Sequence, residues 1–377
     1  MVKRKGIREV PLCKADISSL EKEEVKGVLD SGYLSNGPKL REFEKKISEY
    51  LKVPYAIGVN SGTSALHLAV KSLGLKKGDE VITTSFSFIA SSNCLLMEDL
   101  KPVFVDINPK TYNLNLHLIE EKINSITKAI LPVDIFGHSV DMDYLLNISK
   151  KYNLPVLEDS CEALGSKYKG EKVGAKSTIA TFGFFPNKQI TTGEGGMIVT
   201  SDKGLAKLCK SMRAHGRNED EEWLYHDKLG YNYKLDEMSA ALGVAQMKRI
   251  DEILQKREAV AEEYMKKMNS LDEIMLPYEE DYSNRTWFTF VIQLKEDIRK
   301  EVINYLNNSN IGCSNYFSPI HLQPFYKEKL GHKEGDFPIT EEISKKTLAI
   351  PFYGDLKEEE MDYVINKLKE ALHKNKK

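Results

Sequence analysis

The sequence has few of the residues that a disulfide framework or a structural metal site would need. Its 377 residues include five cysteines, an odd number, and these lie far apart with no CxxC pair. The eight histidines form no HxxxH or HExxH spacing. Because reduced, scattered cysteines are typical of the cytosol, we expect a cytoplasmic protein without disulfides and without a zinc site.

Long apolar runs and an excess of one charge are also missing. The 54 basic and 56 acidic residues nearly cancel, which gives no reason to expect a nucleic-acid or membrane-surface partner. No stretch approaches the roughly 18 apolar residues that span a bilayer. The basic N-terminus lacks the apolar segment that a signal peptide requires. The length and composition instead favour a globular protein of two domains.

Short apolar runs alternate with amphipathic stretches over the first two-thirds of the chain. Strands are predicted at residues 55–59, 80–83, 102–106, 129–135, 155–157, 178–182 and 196–200, and a helix at residues 64–73. This alternation is typical of an α/β fold, with a mostly parallel sheet covered by helices. Ligands of such folds bind at the carboxyl ends of the strands.

The last third of the chain has a different pattern. One long helix is predicted from residue 235 to residue 268, and an alternating strand at residues 287–294. Amphipathic helices are predicted at residues 301–306 and 358–372. We therefore predict a large α/β domain at residues 1–250 and a smaller C-terminal α+β domain at residues 251–377.

The segment FFPNKQITTGEGG, residues 184–196, places Lys188 between an apolar strand and a glycine-rich turn. Partial burial would lower the pKa of this lysine and expose a nucleophilic amine, which can form a Schiff base with an aldehyde cofactor. The glycines would let the backbone approach a bulky ring. A surface lysine in a turn explains these residues equally well when they are considered alone.

The segment NSGTSAL, residues 60–66, joins a predicted strand to a predicted helix. Free backbone N–H groups and the helix dipole make such a helix N-terminus suited to a phosphate. Ser61, Thr63 or Ser64 could add hydroxyl donors. An ordinary Ser or Thr N-cap is the better explanation when the segment is considered alone.

An acidic residue and two aromatic residues complete the set of candidates. Asp159 follows the predicted strand at residues 155–157, at the carboxyl end of that strand. There it could pair with a pyridine nitrogen and keep that nitrogen protonated. A helix N-cap is the alternative role for Asp159. Phe86 or Phe88 could stack on a flat ring, and a place in the core is the alternative. Together these residues supply the parts of one pyridoxal-phosphate site. A dinucleotide site is less well supported, because no GxGxxG segment opens a helix.

These segments resemble the DegT-type nucleotide-sugar aminotransferases, which have the aspartate-aminotransferase type I fold of the PLP-dependent transferases. The resemblance covers nearly the whole chain. Its motifs are GYLSNGP at residues 32–38, NSGTSAL at 60–66, GDEVI at 78–82, the Glu158-Asp159 pair, the Lys188 loop, GYNY at 230–233 and PIHLQP at 319–324.

The resemblance implies roles for the cofactor-binding residues. Lys188 is expected to hold pyridoxal 5'-phosphate as a Schiff base, and Asp159 to pair with its ring nitrogen. Gly62 and Thr63 are expected to bind its phosphate, and Phe88 to stack on its ring.

The resemblance also implies a second subunit and a substrate. Asn232 would reach the cofactor phosphate from the partner subunit, so a homodimer with shared active sites is expected. Tyr316 and His321 would lie near a nucleotide-linked sugar. For His321, a packed or surface histidine is the alternative.

Two positions depart from the pattern of the resemblance. Gly183 stands where many relatives have a serine that donates to the phosphate, so only its backbone N–H is available. Glu162 stands where many relatives have Gln or His. A carboxylate beside the phenolic oxygen of the ring would be repulsive unless it is protonated or turned away.

The activity that the resemblance implies is transfer of an amino group from L-glutamate to a nucleotide-linked keto-sugar, in amino-sugar biosynthesis. Three alternatives remain: a sugar dehydratase, an aminotransferase of a free cyclic ketone such as a keto-inositol, and a non-catalytic regulatory sensor. The dehydratases replace the cofactor lysine with histidine, so Lys188 argues against that alternative. A pure sensor would need no lysine of this kind.

Overall fold

The computed structural model describes residues 9–217 and 225–374. The helices are α1 (Ser19–Ser31), α2 (Pro38–Leu51), α3 (Gly62–Ser72), α4 (Ala90–Leu96), α5 (Met142–Tyr152), α6 (Lys203–Arg213), α7 (Glu237–Lys248), α8 (Ile250–Met268), α9 (Arg299–Asn308), α10 (Pro324–Leu330), α11 (Pro338–Lys346) and α12 (Glu358–Lys374). The strands are β1 (Tyr55–Val59), β2 (Glu80–Thr84), β3 (Lys101–Val105), β4 (Thr127–Leu131), β5 (Leu157–Asp159), β6 (Lys167–Tyr168), β7 (Glu171–Lys172), β8 (Ile179–Gly183), β9 (Gly196–Thr200), β10 (Ile274–Met275), β11 (Ser283–Asn284), β12 (Phe290–Leu294) and β13 (Thr347–Ile350).

The central sheet has the strand order β3-β2-β4-β5-β8-β9-β1. Parallel bridges between Ile130 and Val156 and between Val133 and Asp159 join β4 to β5. Strand β9 pairs antiparallel with both of its neighbours, while the other neighbouring strands pair in parallel. The prediction of a mostly parallel sheet is therefore confirmed.

Alternate residues of the central strands enter different cores, which shows that helices cover both faces of the sheet. Ile57 and Ile198 belong to one apolar cluster, whereas Met197 and Val199 belong to another. Successive side chains of a strand point to opposite faces, so a strand buried on both faces is apolar throughout. Every residue of β2, β8 and β9 is buried.

Helix α2 shows how the sequence dictates one of these covering layers. Pro38 occupies its first turn, where the missing N–H would have had no partner within the helix. Its buried residues Leu40, Phe43, Ile47 and Leu51 are spaced three or four apart and so lie along one face. That face packs in the same cluster as Met197 and Val199 of β9.

The predicted C-terminal ends of β4 and β5, the two strands that lead to the cavity, were wrong. Strand β4 ends at Leu131 instead of residue 135, because Pro132 follows and has no N–H to donate to a ladder. The Pro132 carbonyl accepts a hydrogen bond from the Asp159 N–H at 3.0 Å instead. Strand β5 continues to Asp159, two residues beyond its predicted end.

The single long helix predicted at residues 235–268 is also wrong, because the chain forms two helices, α7 and α8. The break falls at Arg249, whose φ of −115° and ψ of 8° are not helical. The Arg249 guanidinium donates to Asp16, Glu21 and Glu252 at 2.8 to 3.3 Å. These contacts with the N-terminal segment hold the bend at a position with neither glycine nor proline.

The C-terminal part has its own core, built on the antiparallel sheet β10-β12-β13 and on α9 and α12. Val10, near the N-terminus, belongs to this core and forms a parallel bridge with Ile311. Its N–H donates to the Asn310 carbonyl at 3.0 Å, and its carbonyl accepts from the Gly312 N–H at 2.8 Å. The division into domains at residue 250 stays a prediction. Val10 does not follow this division, because it precedes residue 250 in sequence but packs in the C-terminal core.

The described part of the chain contains neither a membrane-spanning helix nor a metal-binding cluster. In residues 9–217 and 225–374, no helix is long and apolar enough to cross a membrane. No group of three or more His, Cys, Asp or Glu side chains in those ranges is arranged to hold a metal ion.

Candidate active site

A cavity of about 440 Å³ opens where β1, β5 and β8 end, at the carboxyl edge of the central sheet. Polar groups from separate parts of the sequence converge on it, as expected at the edge of a parallel sheet. Of the residues predicted from the sequence, it is lined by Gly62, Thr63, Phe88, Asp159, Glu162, Gly183, Lys188 and Tyr316.

The N-terminus of α3 forms one wall of the cavity. Ser61 is its N-cap and accepts the Ser64 N–H at 3.0 Å, so the N-cap explanation is correct for Ser61, although Ser61 also lines the cavity. A Cβ atom added at Gly62 would lie 3.2 Å from Cys161 Sγ and 3.4 Å from the Gly183 Cα. Small residues therefore let the backbone form the wall, and the positive end of the helix dipole faces an anion-sized space.

Asp159 is fixed on the opposite side by hydrogen bonds to both carboxylate oxygens. Oδ2 accepts from Ser91 Oγ at 2.7 Å, and Oδ1 accepts from the Cys161 N–H at 3.2 Å. A turn follows β5 instead of a helix, so the N-cap explanation is wrong for Asp159. No sequence pattern pointed to Ser91, which lies on α4 and meets β5 only in the folded chain.

Lys188 projects into the cavity from the loop after β8. Its Nζ lies 3.5 Å from Glu162 Oε1 and 4.2 Å from the centre of the Phe288 ring. Its side chain is 15% exposed, which rules out a surface lysine in a turn. Phe288, at the start of the predicted strand 287–294, was not recognised as a neighbour of the site, because only the tertiary fold brings it to Lys188.

Glu162 presents its carboxyl group to Lys188 from the turn after β5. Its Oε2 accepts a hydrogen bond from the Phe136 N–H at 2.9 Å. Burial raises the pKa of Glu162, while the charge of Lys188 and the Phe136 N–H act in the opposite direction. The side chain is therefore turned toward the lysine instead of away from the cavity.

The aromatic residues of the site occupy different environments. Phe88 lines the cavity and is 60% exposed, whereas Phe86 is fully buried and belongs to the core. Tyr316 lines the cavity, and its Oη accepts from Asn187 Nδ2 at 3.3 Å. Burial raises the pKa of Tyr316 to about 12, so its phenol stays protonated at neutral pH.

The structure does not bring His321 or Asn232 into this cavity. His321 is fully buried, with Nδ1 2.6 Å from Ser85 Oγ and Nε2 3.1 Å from Glu341 Oε1. Asn232 is exposed, and its side-chain oxygen accepts from Lys234 Nζ. The substrate role of His321 and the phosphate role of Asn232 remain predictions.

This arrangement fits pyridoxal phosphate. An amine, a fixed carboxylate and a helix N-terminus line one cavity, and they match the aldehyde, the ring nitrogen and the phosphate of that cofactor in chemical type. Gly62 and Gly183 both line the cavity, and they can pack this closely because neither has a side chain.

The family model for the DegT/DnrJ/EryC1/StrS aminotransferases matches residues 15–369. The chain belongs to this family. The aminotransferase is 36% identical to the GDP-perosamine synthase of Escherichia coli O157:H7 over 365 residues, which cover 97% of this chain and 99% of that one.

Two solved structures extend the comparison. Helicobacter pylori PseC, an aminotransferase involved in the biosynthesis of pseudoaminic acid, superimposes with a TM-score of 0.93 at 28% identity, covering 97% of this chain and all of that one. Bacillus subtilis NtdA with bound PMP cofactor gives a TM-score of 0.88 at 31% identity, covering 99% and 87%. The type I fold, the aminotransferase activity and the pyridoxal-phosphate cofactor expected from the sequence are thereby confirmed.

Proposed function

We propose that this aminotransferase moves an amino group from L-glutamate to a nucleotide-linked keto-sugar, in the cytoplasmic biosynthesis of an amino sugar. The observation that carries the proposal is the position of Lys188 Nζ, in a cavity shared with Asp159 and the N-terminus of α3. The name of the E. coli relative, a GDP-perosamine synthase, supports a sugar carried on a nucleotide.

Each residue of the cavity has a part in this reaction. Pyridoxal phosphate, when bound, supplies an electron sink for removal of a proton from the α-carbon of an amino acid. Lys188 would hold the cofactor covalently and, once freed by the amino donor, would move that proton. Asp159 would keep the proton on the ring nitrogen, and Gly62 and Thr63 would bind the phosphate.

The remaining residues would position the cofactor and the sugar. Phe88 would stack on the ring, and the Gly183 N–H would donate to the phosphate. Tyr316, a protonated phenol on the cavity wall, is suited to donate a hydrogen bond to a sugar oxygen. His321 would affect the sugar only through neighbouring residues, since it does not line the cavity.

We further propose a homodimer in which Asn232 of each chain reaches the cofactor phosphate in the other. Asn232 is exposed in the single chain and lies outside the cavity of its own chain. Both observations are expected of a residue that acts across a subunit boundary.

Absorbance of the purified, pyridoxal-phosphate-loaded protein tests the reaction. We expect L-glutamate to bleach the band of the lysine-linked cofactor, and one member of a panel of 3-keto and 4-keto nucleotide sugars to restore it. Restoration by a keto-inositol alone would show that the acceptor is a free cyclic ketone. Release of water from the sugar without amination would show a dehydratase.

The variant Lys188→Ala tests the central residue. We expect it to have no turnover and no borohydride-reducible link to the cofactor, because no other lysine lines the described cavity. Lys172→Ala is the matched control, since Lys172 is also partly buried but lies outside the cavity. Undiminished turnover in Lys188→Ala would disprove the assignment.

A further inference from the structure

The nitrogen of Lys188 lies between a carboxyl group and an aromatic ring, 3.5 Å from Glu162 Oε1 and 4.2 Å from the centre of the Phe288 ring. We propose that Glu162 is the counter-ion of this nitrogen, and that it keeps a proton on the nitrogen after the link to the cofactor has formed. This inference rests on the proposed function, in which Lys188 carries the cofactor.

The backbone around Phe136 is arranged to hold the Glu162 carboxyl group in place. Phe136 has a φ of 54°, a left-handed conformation that is rare for a large side chain, and Gly137 follows with a φ of 85°. Asn113 Oδ1 anchors the same turn by accepting the Ile135 N–H at 2.9 Å. The turn directs the Phe136 N–H to Glu162 Oε2, and such a donor favours an ionised carboxylate.

The charges that face Glu162 are few. The charge of Lys188 lowers the pKa of Glu162, whereas burial and the nearby Asp159 raise it. Tyr316 also faces Glu162, but its raised pKa keeps it neutral. A cation at the Lys188 nitrogen therefore favours the ionised form of Glu162, and the two charges stabilise each other in a site that water screens weakly. The Phe288 ring face favours the same cation.

The pair has a direct consequence for the cofactor link. Linking the Lys188 amine to the aldehyde of the cofactor would release one water and convert the amine into a C=N group, whose nitrogen could bind one proton. A protonated C=N group is the better electrophile for the incoming amine of the donor. A carboxylate at Glu162 would hold that proton to a higher pH than an uncharged side chain would.

A pH titration of the cofactor absorbance tests this inference without measuring turnover. We expect the midpoint for deprotonation of the linked nitrogen to be lower in Glu162→Gln than in the natural chain, by about one to three pH units. Phe288→Leu should lower the midpoint by a smaller amount, about one pH unit or less. Glu80→Gln is the matched control, because Glu80 pairs with Lys101 at 2.8 Å outside the cavity.

A second measurement applies if a variant does not retain the cofactor. In the cofactor-free protein, the pH at which Lys188 becomes half reactive toward an acetylating reagent, followed by mass spectrometry, should also be lower in Glu162→Gln. Unchanged midpoints in both measurements would overturn the inference. Absence of the cofactor band from the natural chain would instead contradict the proposed function, so the two failures are distinguishable.

Discussion

Glu158 and Asp159 are neighbours in β5, yet they occupy opposite faces of the sheet and very different surroundings. Asp159 lines the cavity, where Ser91 and the Cys161 N–H fix it. Glu158 is fully buried and accepts the Gly174 N–H at 3.2 Å. On the adjacent segment Val133 lines the cavity, and Asp134 does not. The alternation of the strands thus places one acid, Asp159, in the cavity and buries the other two, Glu158 and Asp134, away from it.

Glu158 and Asp134 are a buried pair of acids with raised pKa values. Burial raises the pKa of Glu158, and burial together with the charge of Glu158 raises the pKa of Asp134 well above its usual value. Asp134 also accepts hydrogen bonds from Ser160 Oγ at 2.7 Å and from the Val140 N–H at 3.2 Å. Two adjacent acids in an apolar environment cannot both ionise cheaply, so the ionised form of one favours the protonated form of the other.

The largest expected difference between the two acids is in catalysis. Asp159→Asn should lower turnover by about 10²–10³-fold, because an amide cannot stabilise a protonated ring nitrogen. Glu158→Gln has the same change of atoms one residue away and should leave turnover within about tenfold of the natural chain. Steady-state rates with glutamate and the restoring sugar measure both. Equal losses in the two variants would mean that the face of the strand does not decide the role.

The next effect is on stability and depends on pH. Because their pKa values are raised on folding, Asp134 and Glu158 stabilise the folded chain fully below the unfolded pKa of about 4, and this contribution is lost as pH rises through the folded values. Glu158→Gln removes one of the titrating groups. The difference in unfolding free energy between the natural chain and Glu158→Gln, measured by denaturant unfolding, should therefore shrink by about 1–2 kcal/mol between pH 5 and pH 8. If this difference in unfolding free energy stays constant across the range, folding does not raise the pKa of Glu158.

The smallest expected effect concerns the hydroxyl group that holds Asp159. Ser91→Ala removes the donor to Asp159 Oδ2 and should lower turnover by about fivefold, equivalent to roughly 1 kcal/mol. Ser149 lies on α5, and its hydroxyl donates to the Leu154 carbonyl outside the cavity, so Ser149→Ala should leave turnover unchanged. A loss as large as that of Asp159→Asn would mean that Ser91 itself contacts the cofactor or substrate.

The sequence predicted the sheet and most of the cavity because both depend on local patterns. Apolar runs located the central strands, and the turns after them supplied Gly62, Asp159 and Lys188. Which acid of the Glu158-Asp159 pair faces the cavity could not be read from alternation alone, since β5 is buried on both faces and has no polar side to mark the solvent.

The features that the sequence missed depend on contacts between distant segments. The bend at Arg249 is held by Asp16 and Glu21, more than 200 residues away, and no local helix breaker marks it. Ser91 and Phe288 reach the site only through packing of α4 and of the C-terminal part. His321 was predicted to lie near the sugar, but in the fold its ring is buried and contacts Ser85 and Glu341.

The bridge between Val10 and Ile311 affects the order in which the chain can fold during its synthesis on the ribosome. After Val10 is made, roughly 300 more residues must follow before its hydrogen-bond partners emerge, a delay of about 15 to 60 s at usual rates of synthesis. Until then Val10 has no place in the C-terminal core, whose other members are also made late. A nascent chain can therefore form its central sheet while the segment around Val10 still lacks its partners.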